Sequence, residues 1–145
     1  MRHILAALLM LGLAIGPVRA QDWSFLTPLT MQTLDVRPGD SAPKLFSDHP
    51  DPGTARYSVI FHYYESRTGG NAIGLNVGLF RRDDDGWRYA GPLKVFGFNP
   101  RDARFLPGRV EITTTTLGPN ESRCCPTQVS KWSVDFATLR VTRLQ

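Results

Sequence analysis

The stretch YSVIFHYYE (Tyr57–Glu65), the linker RTGGN (Arg67–Asn71) and the run IGLNVGLF (Ile73–Phe80) decide the fold class of this chain. The first run is apolar on both faces. Tyr57, Val59, Phe61 and Tyr63 fall on one side, Ile60 and Tyr64 on the other, the signature of a strand covered on both sides. Gly69 and Gly70 punctuate a hairpin loop. In the second run Ile73, Leu75, Val77 and Leu79 alternate with Gly74, Asn76, Gly78 and Phe80. Two glycines on one face of a strand imply a bend or the close approach of another element. His62, inside the two-sided strand, reads as a hydrogen-bonded core or edge histidine.

The period of two continues outward. Asp83-Asp84-Asp85-Gly86 reads as a solvated turn with glycine at the positive-φ position. Trp87–Ala90 and Leu93–Phe96 read as short strands around Gly91-Pro92, and Ala103–Leu106 as another. Val110, Ile112, Thr114 and Thr116 alternate with Glu111, Thr113 and Thr115, and branching at Cβ favours extended backbone there. Trp132, Val134 and Phe136 form the next strand, and Leu139 and Val141 the last. Short links favour antiparallel neighbours, because parallel pairing needs long crossovers. The expectation is an all-β domain over residues 57–145: an antiparallel meander of about seven strands, forming a small barrel or a curled sheet.

Upstream, residues 21–56 form an irregular N-terminal arm belonging to the same domain. Trp23, Phe25, Leu26, Leu29, Met31 and Leu34 suit one short helix or an edge strand, and Pro28 limits a helix's length. Arg37–Gly53, dense in Pro and Gly, reads as an extended loop. Residues 1–20 have the parts of a cleavable signal peptide. Arg2 gives a positive start, Ile4–Ile15 is uncharged and apolar, and Gly16-Pro17 breaks it before Val18-Arg19-Ala20. About a dozen apolar residues are too few to span a bilayer. Cleavage after Ala20 would leave Gln21 first, not a lipid-accepting cysteine, so no membrane anchor is expected. The expected location is periplasmic or secreted.

Loss of Arg2 and Arg19 with that segment would lower the formal charge from +4 to +2. No basic run interleaved with aromatics marks a nucleic-acid site. No Gly-x-Ser-x-Gly elbow is present, and His49 and His62 lack metal-ligand spacing, so no catalytic residue, metal or cofactor is assigned. Glu65 and Glu111 would face each other only if their strands paired. Asn120-Glu121-Ser122 matches a glycosylation pattern, relevant only in a host that glycosylates.

Cys124-Cys125-Pro126 is the one distinctive motif, and these are the only two cysteines. In an oxidising compartment three readings stand. One is a strained vicinal disulfide, whose Cα atoms would sit about 3.8 Å apart against the usual 4.4–6.8 Å. Another is a pair of reduced or externally paired thiols. The third is a redox or thiolate-metal site. Asn120, Arg123, Pro126, Thr127 and Gln128 are the candidate binding residues around Cys124 and Cys125.

The segment Gly118–Gln128, with Val110–Leu117 before it and Lys131–Phe136 after it, resembles bacterial secreted proteins and lipoproteins of the LppP/LprE type. The specific part of the resemblance is the Cys-Cys-Pro-Thr loop. Glu121 departs from the Asp usual there, and the lipid-accepting cysteine is missing. The resemblance implies an envelope or secreted location and supplies no reaction. The function expected is a non-enzymatic binding or interaction module of the envelope. Its partner would be an envelope protein, a cell-wall component or a small ligand. Alternatives are a periplasmic thiol-disulfide protein using the two cysteines, or an envelope structural or inhibitor protein.

Overall fold

A computed structural model describes residues 22–69, 72–122 and 124–145. The expected signal peptide, residues 1–20, therefore lies outside the described residues, as does Arg123.

The fold is all-β, with eight strands among the described residues in two antiparallel sheets of four. Sheet A runs in the order β1 (Lys44–Ser47), β2 (Tyr57–Glu65), β3 (Ile73–Asp83), β4 (Gly86–Pro92). Sheet B runs β5 (Phe98–Leu106), β6 (Arg109–Thr116), β7 (Gln128–Asp135), β8 (Val141–Arg143). Each sheet is a meander of chain neighbours, as short links dictate. The two sheets do not close into a barrel. In the arm, Trp23–Leu34 takes the short helix of its two expected forms, whereas the stretch Arg37–Gly53 expected as an extended loop contains a strand, β1, which pairs with β2 at the edge of sheet A. A 3-10 turn at Ser24–Leu26 leads into α1 (Thr27–Thr33), with Pro28 in the first helical turn, where its missing N–H costs nothing.

The core lies between the sheets. Val59 opposes Leu79 and Phe61 opposes Val77 on sheet A, while Val110 opposes Val134 and Ile112 opposes Trp132 on sheet B. Their side chains form one buried cluster with Leu93, Val95 and Phe136. Tyr57 stacks on Phe136 with ring centroids 4.1 Å apart. The opposite face of β2 and β3 buries Ile60 and Phe80 under Leu26 and Leu34 of the arm. The two-sided reading of Tyr57–Glu65 thus has a physical basis: one face meets sheet B, the other meets α1.

The glycines of β3 mark the close approaches. A Cβ on Gly74 would stand 2.2 Å from the Tyr64 ring, and one on Gly78 would stand 2.7 Å from the Tyr89 ring.

One expected strand is not a strand, and the last one is shorter than expected. Leu93–Gly97 is the crossing from sheet A to sheet B. Its buried Leu93 and Val95 plug the core, which explains their alternation without any ladder. The crossing ends at Gly97, φ +103°, where a Cβ would meet the Thr115 carbonyl at 2.7 Å. Leu139 has φ +58° and sits in a turn, so the last strand begins at Val141. Glu65 and Glu111 lie in different sheets and do not face each other.

Candidate functional site

The cysteine loop joins β6 to β7 at one end of sheet B, and Thr116 and Gln128 are the last paired residues below it. Glu121 holds the loop together. Its carboxylate accepts the backbone N–H groups of Gly118 and Thr127, both at 2.9 Å, and the Thr127 hydroxyl. One side chain thereby ties the exit from β6 to the entry into β7. The Gly118 N–H, then the Thr127 contacts, hold the Glu121 carboxyl below its ordinary range.

Under the loop the strands are pinned by side chains as well as by the ladder. The Thr116 and Ser130 hydroxyls lie 2.6 Å apart, and Arg143 Nη2 donates to Ser130 Oγ at 2.8 Å. Thr114 Oγ1 donates to the Phe96 carbonyl and accepts from Trp132 Nε1.

The loop's crown is exposed. Asn120, Cys124, Cys125, Thr127 and Gln128 are solvent-facing and Pro126 is half-buried. Both thiols are free in the structure. The Cys125 N–H donates to the Ser122 carbonyl at 3.2 Å, closing a turn around the pair. Cys124 Sγ lies 2.8 Å from Ser122 Oγ. The two thiols are unequal. Hydrogen bonding from Cys125, then from Ser122, lowers the Cys124 thiol, and the same contact with Cys124 raises Cys125. The loop therefore carries Asn120, Cys124, Cys125, Pro126, Thr127 and Gln128, whereas His49, His62, Glu65 and Glu111 lie elsewhere. Glu121 was missed as the organising group. Its position three residues after a Gly-Pro turn start was the available signal, because a carboxylate there can reach back to the loop's own N–H groups.

A second polar cluster was not legible in the sequence. His62 is fully buried, and its Nδ1 donates to the Leu34 carbonyl at 3.1 Å. Asn76 Nδ2 donates to the same carbonyl at 2.9 Å. His62 Nε2 lies 3.2 Å from Asp40 Oδ2 but is off-line for a hydrogen bond. Arg67 Nη2 donates to Asp40 Oδ2 at 3.0 Å and to the Asp35 carbonyl at 2.9 Å, with its guanidinium over the Tyr64 ring. The Arg37 N–H and the Arg67 guanidinium hold the Asp40 carboxyl below its usual range, against desolvation. The expectation of a core histidine for His62 is met. Its ring fastens the arm to sheet A through the Leu34 carbonyl.

Among the described residues no three His, Cys, Asp or Glu side chains gather into a metal-binding group, and no helix is long and apolar enough to cross a membrane. Between α1 and sheet A a cleft of about 290 Å³ is lined by apolar groups including Trp23, Leu26, Val36 and Ile60.

Fold and site define a class: an open two-sheet antiparallel β protein carrying a carboxylate-clamped vicinal-cysteine loop. Comparison of the chain with protein-family models, with curated proteins and with solved structures finds no match.

Proposed function

We propose that this chain is an exported, non-enzymatic binding module of the bacterial envelope that presents its Cys-Cys-Pro loop to a partner. The observation that supports it most is the Glu121 clamp, which fixes an exposed, polar loop on two paired strands. A surface ordered before binding loses little conformational freedom when a partner arrives. The partner classes are an envelope protein, a cell-wall component or a small ligand. The resemblance of Gly118–Gln128 to the LppP/LprE type is consistent with that location.

Two measurements test the proposal. The mass of the exported protein, taken before and after alkylation without reductant, should give an N-terminus at Gln21. An N-terminus at Met1 overturns the export reading. Co-sedimentation with isolated envelope should weaken when Cys124 and Cys125 are both changed to Ser while the circular dichroism spectrum is unchanged. Undiminished binding removes the loop as the contact.

The adjacency and exposure of two free thiols favour a second reading, thiol-disulfide exchange. The Cys124 thiolate would attack a partner's disulfide, releasing one partner thiolate and forming a mixed disulfide. Cys125 would then lose its proton and displace the second partner sulfur, leaving Cys124–Cys125 oxidised and the partner reduced by two electrons. Because the Cys124–Cys125 disulfide is strained, the favoured direction is the reverse of these steps: a partner dithiol gives two electrons to the disulfide, becomes a disulfide itself and leaves both cysteines as thiols. A disulfide that stays inert toward dithiols excludes it.

A further inference from the structure

The two cysteines are better placed to share a third atom than to bond each other. Neighbouring Cα atoms lie about 3.8 Å apart across a trans peptide, against the roughly 4.4–6.8 Å usual for a disulfide. A Cys124–Cys125 disulfide would close a strained ring, and strain favours the dithiol. Both thiols are free and exposed. Both also converge on one hydroxyl. Ser122 Oγ lies 2.8 Å from Cys124 Sγ and hydrogen-bonds Cys125 as well. The thiols hydrogen-bond each other. The two sulfurs thus face one point, on one side of the turn that the Cys125 N–H closes onto the Ser122 carbonyl.

The surroundings limit what that atom can be. The Glu121 carboxylate is engaged by Gly118 and Thr127. Among the described residues no third His, Cys, Asp or Glu joins the pair. The thioether of Met31 lies on α1 against sheet A, not in the loop. A structural Zn(II) takes four protein ligands, so two sulfurs alone hold it weakly. Ions that take two sulfurs in line need them on opposite sides, whereas these two meet on one side. Trivalent arsenic is the soft centre that suits the pair. It is three-coordinate, takes two sulfurs side by side, and keeps a hydroxide or an aryl group as its third substituent, for which the exposed crown leaves room. An S–As–S bridge also adds one atom to the ring that a direct S–S bond would close, which relaxes the strain of adjacent positions.

We propose that the Cys124–Cys125 dithiol chelates trivalent arsenic, met as arsenous acid or as an organoarsenic(III) oxide. With phenylarsine oxide, two S–H bonds break and two As–S bonds form, and the oxide oxygen leaves with both protons as one water. Arsenic stays As(III) and neither sulfur is oxidised, so the step needs no electron donor or acceptor. The Glu121 clamp holds both ends of the loop, so the second sulfur is already in place when the first has bound. A small-ligand class for this loop deepens the binding-module reading, and rests on that reading for the loop's being a binding site but not for export.

The test titrates the exported chain, residues 21–145, reduced and then freed of reductant, with phenylarsine oxide. Intact mass and alkylation of the thiols are the readouts. A one-to-one adduct that has lost one water and protects both cysteines is expected. Cys124→Ser and Cys125→Ser each leave one sulfur and should weaken binding about 100-fold or more. Glu121→Gln keeps both sulfurs but frees the loop, and should weaken binding about tenfold. Zn(II) at the same concentration should leave the adduct in place. Circular dichroism of the variants checks that they fold. Two arsenicals per chain, a single-cysteine variant that binds as tightly as the native chain, undiminished binding by Glu121→Gln, or displacement by Zn(II) overturns the proposal. So do cysteines that resist alkylation once reductant is removed. The adduct is read without envelope, and co-sedimentation without arsenic, so a failed chelate and a failed envelope partner are separate results.

Discussion

The two sheets are alike in strand number and meander order, yet their outer faces have opposite fates. Sheet A sets Ile60 and Phe80 outward, and the arm lays Leu26 and Leu34 over them. Sheet B sets threonines, cations and Glu111 outward and keeps that face in water. The difference lies in one alternation. β2 is apolar at both odd and even positions, whereas β6 is apolar or inward-bonded only at even ones. Apolar area on a second face drives a third layer into place. Hydroxyls and charges on that face drive no such layer.

Breaking the covered face should have the largest effect. Phe80→Ala removes a fully buried ring between α1 and sheet A and should cost about 3–5 kcal/mol in urea unfolding. Thr142→Ala, on the bare face, should stay within about 0.5 kcal/mol. Similar losses for the two would erase the contrast. Next comes Gly78→Ala, whose methyl would push into Tyr89 and Leu34 at 2.7 and 3.0 Å and should cost about 1–3 kcal/mol by the same measurement. His62→Leu should cost less, about 1 kcal/mol, because the Leu34 carbonyl keeps Asn76 as a donor. Its sharper readout is faster amide exchange across residues 34–40 with sheet B unaffected.

The smallest effect on global stability belongs to the loop. Glu121→Gln should leave the unfolding midpoint nearly unchanged and speed proteolysis between Gly118 and Thr127. The folded Glu121 carboxyl titrates below its ordinary 4.5, so its hold on the loop is complete at neutral pH. That hold is lost as pH falls below that value through the depressed one. Limited proteolysis from pH 7 to pH 3 measures it, and protection that persists at the acid end would show that other contacts hold the loop.

The cysteine loop was legible because Cys124-Cys125-Pro126 is chemically distinctive on its own. Its organiser was not, since a lone glutamate announces nothing until the chain turns back on it. The Leu93–Phe96 alternation misled for a related reason. Residues plugging a core between two sheets alternate as a strand does, and here the pairing with β3 stops after the single bond from the Leu93 N–H to the Val77 carbonyl. Asp40 and Arg67 lie 27 residues apart and meet only because the arm folds over β2.

The sequence by itself determined the antiparallel pairing, the two-faced β2, the close approaches at Gly74 and Gly78, and the exposed cysteine loop. Each depends on residues near one another in the chain, through side-chain period and turn chemistry. Tertiary structure alone decided that eight strands split into two open sheets, that the arm seals one outer face, and that His62, Asp40 and Arg67 share a site. These features depend on which apolar faces meet, a choice fixed by the whole core rather than by any one segment.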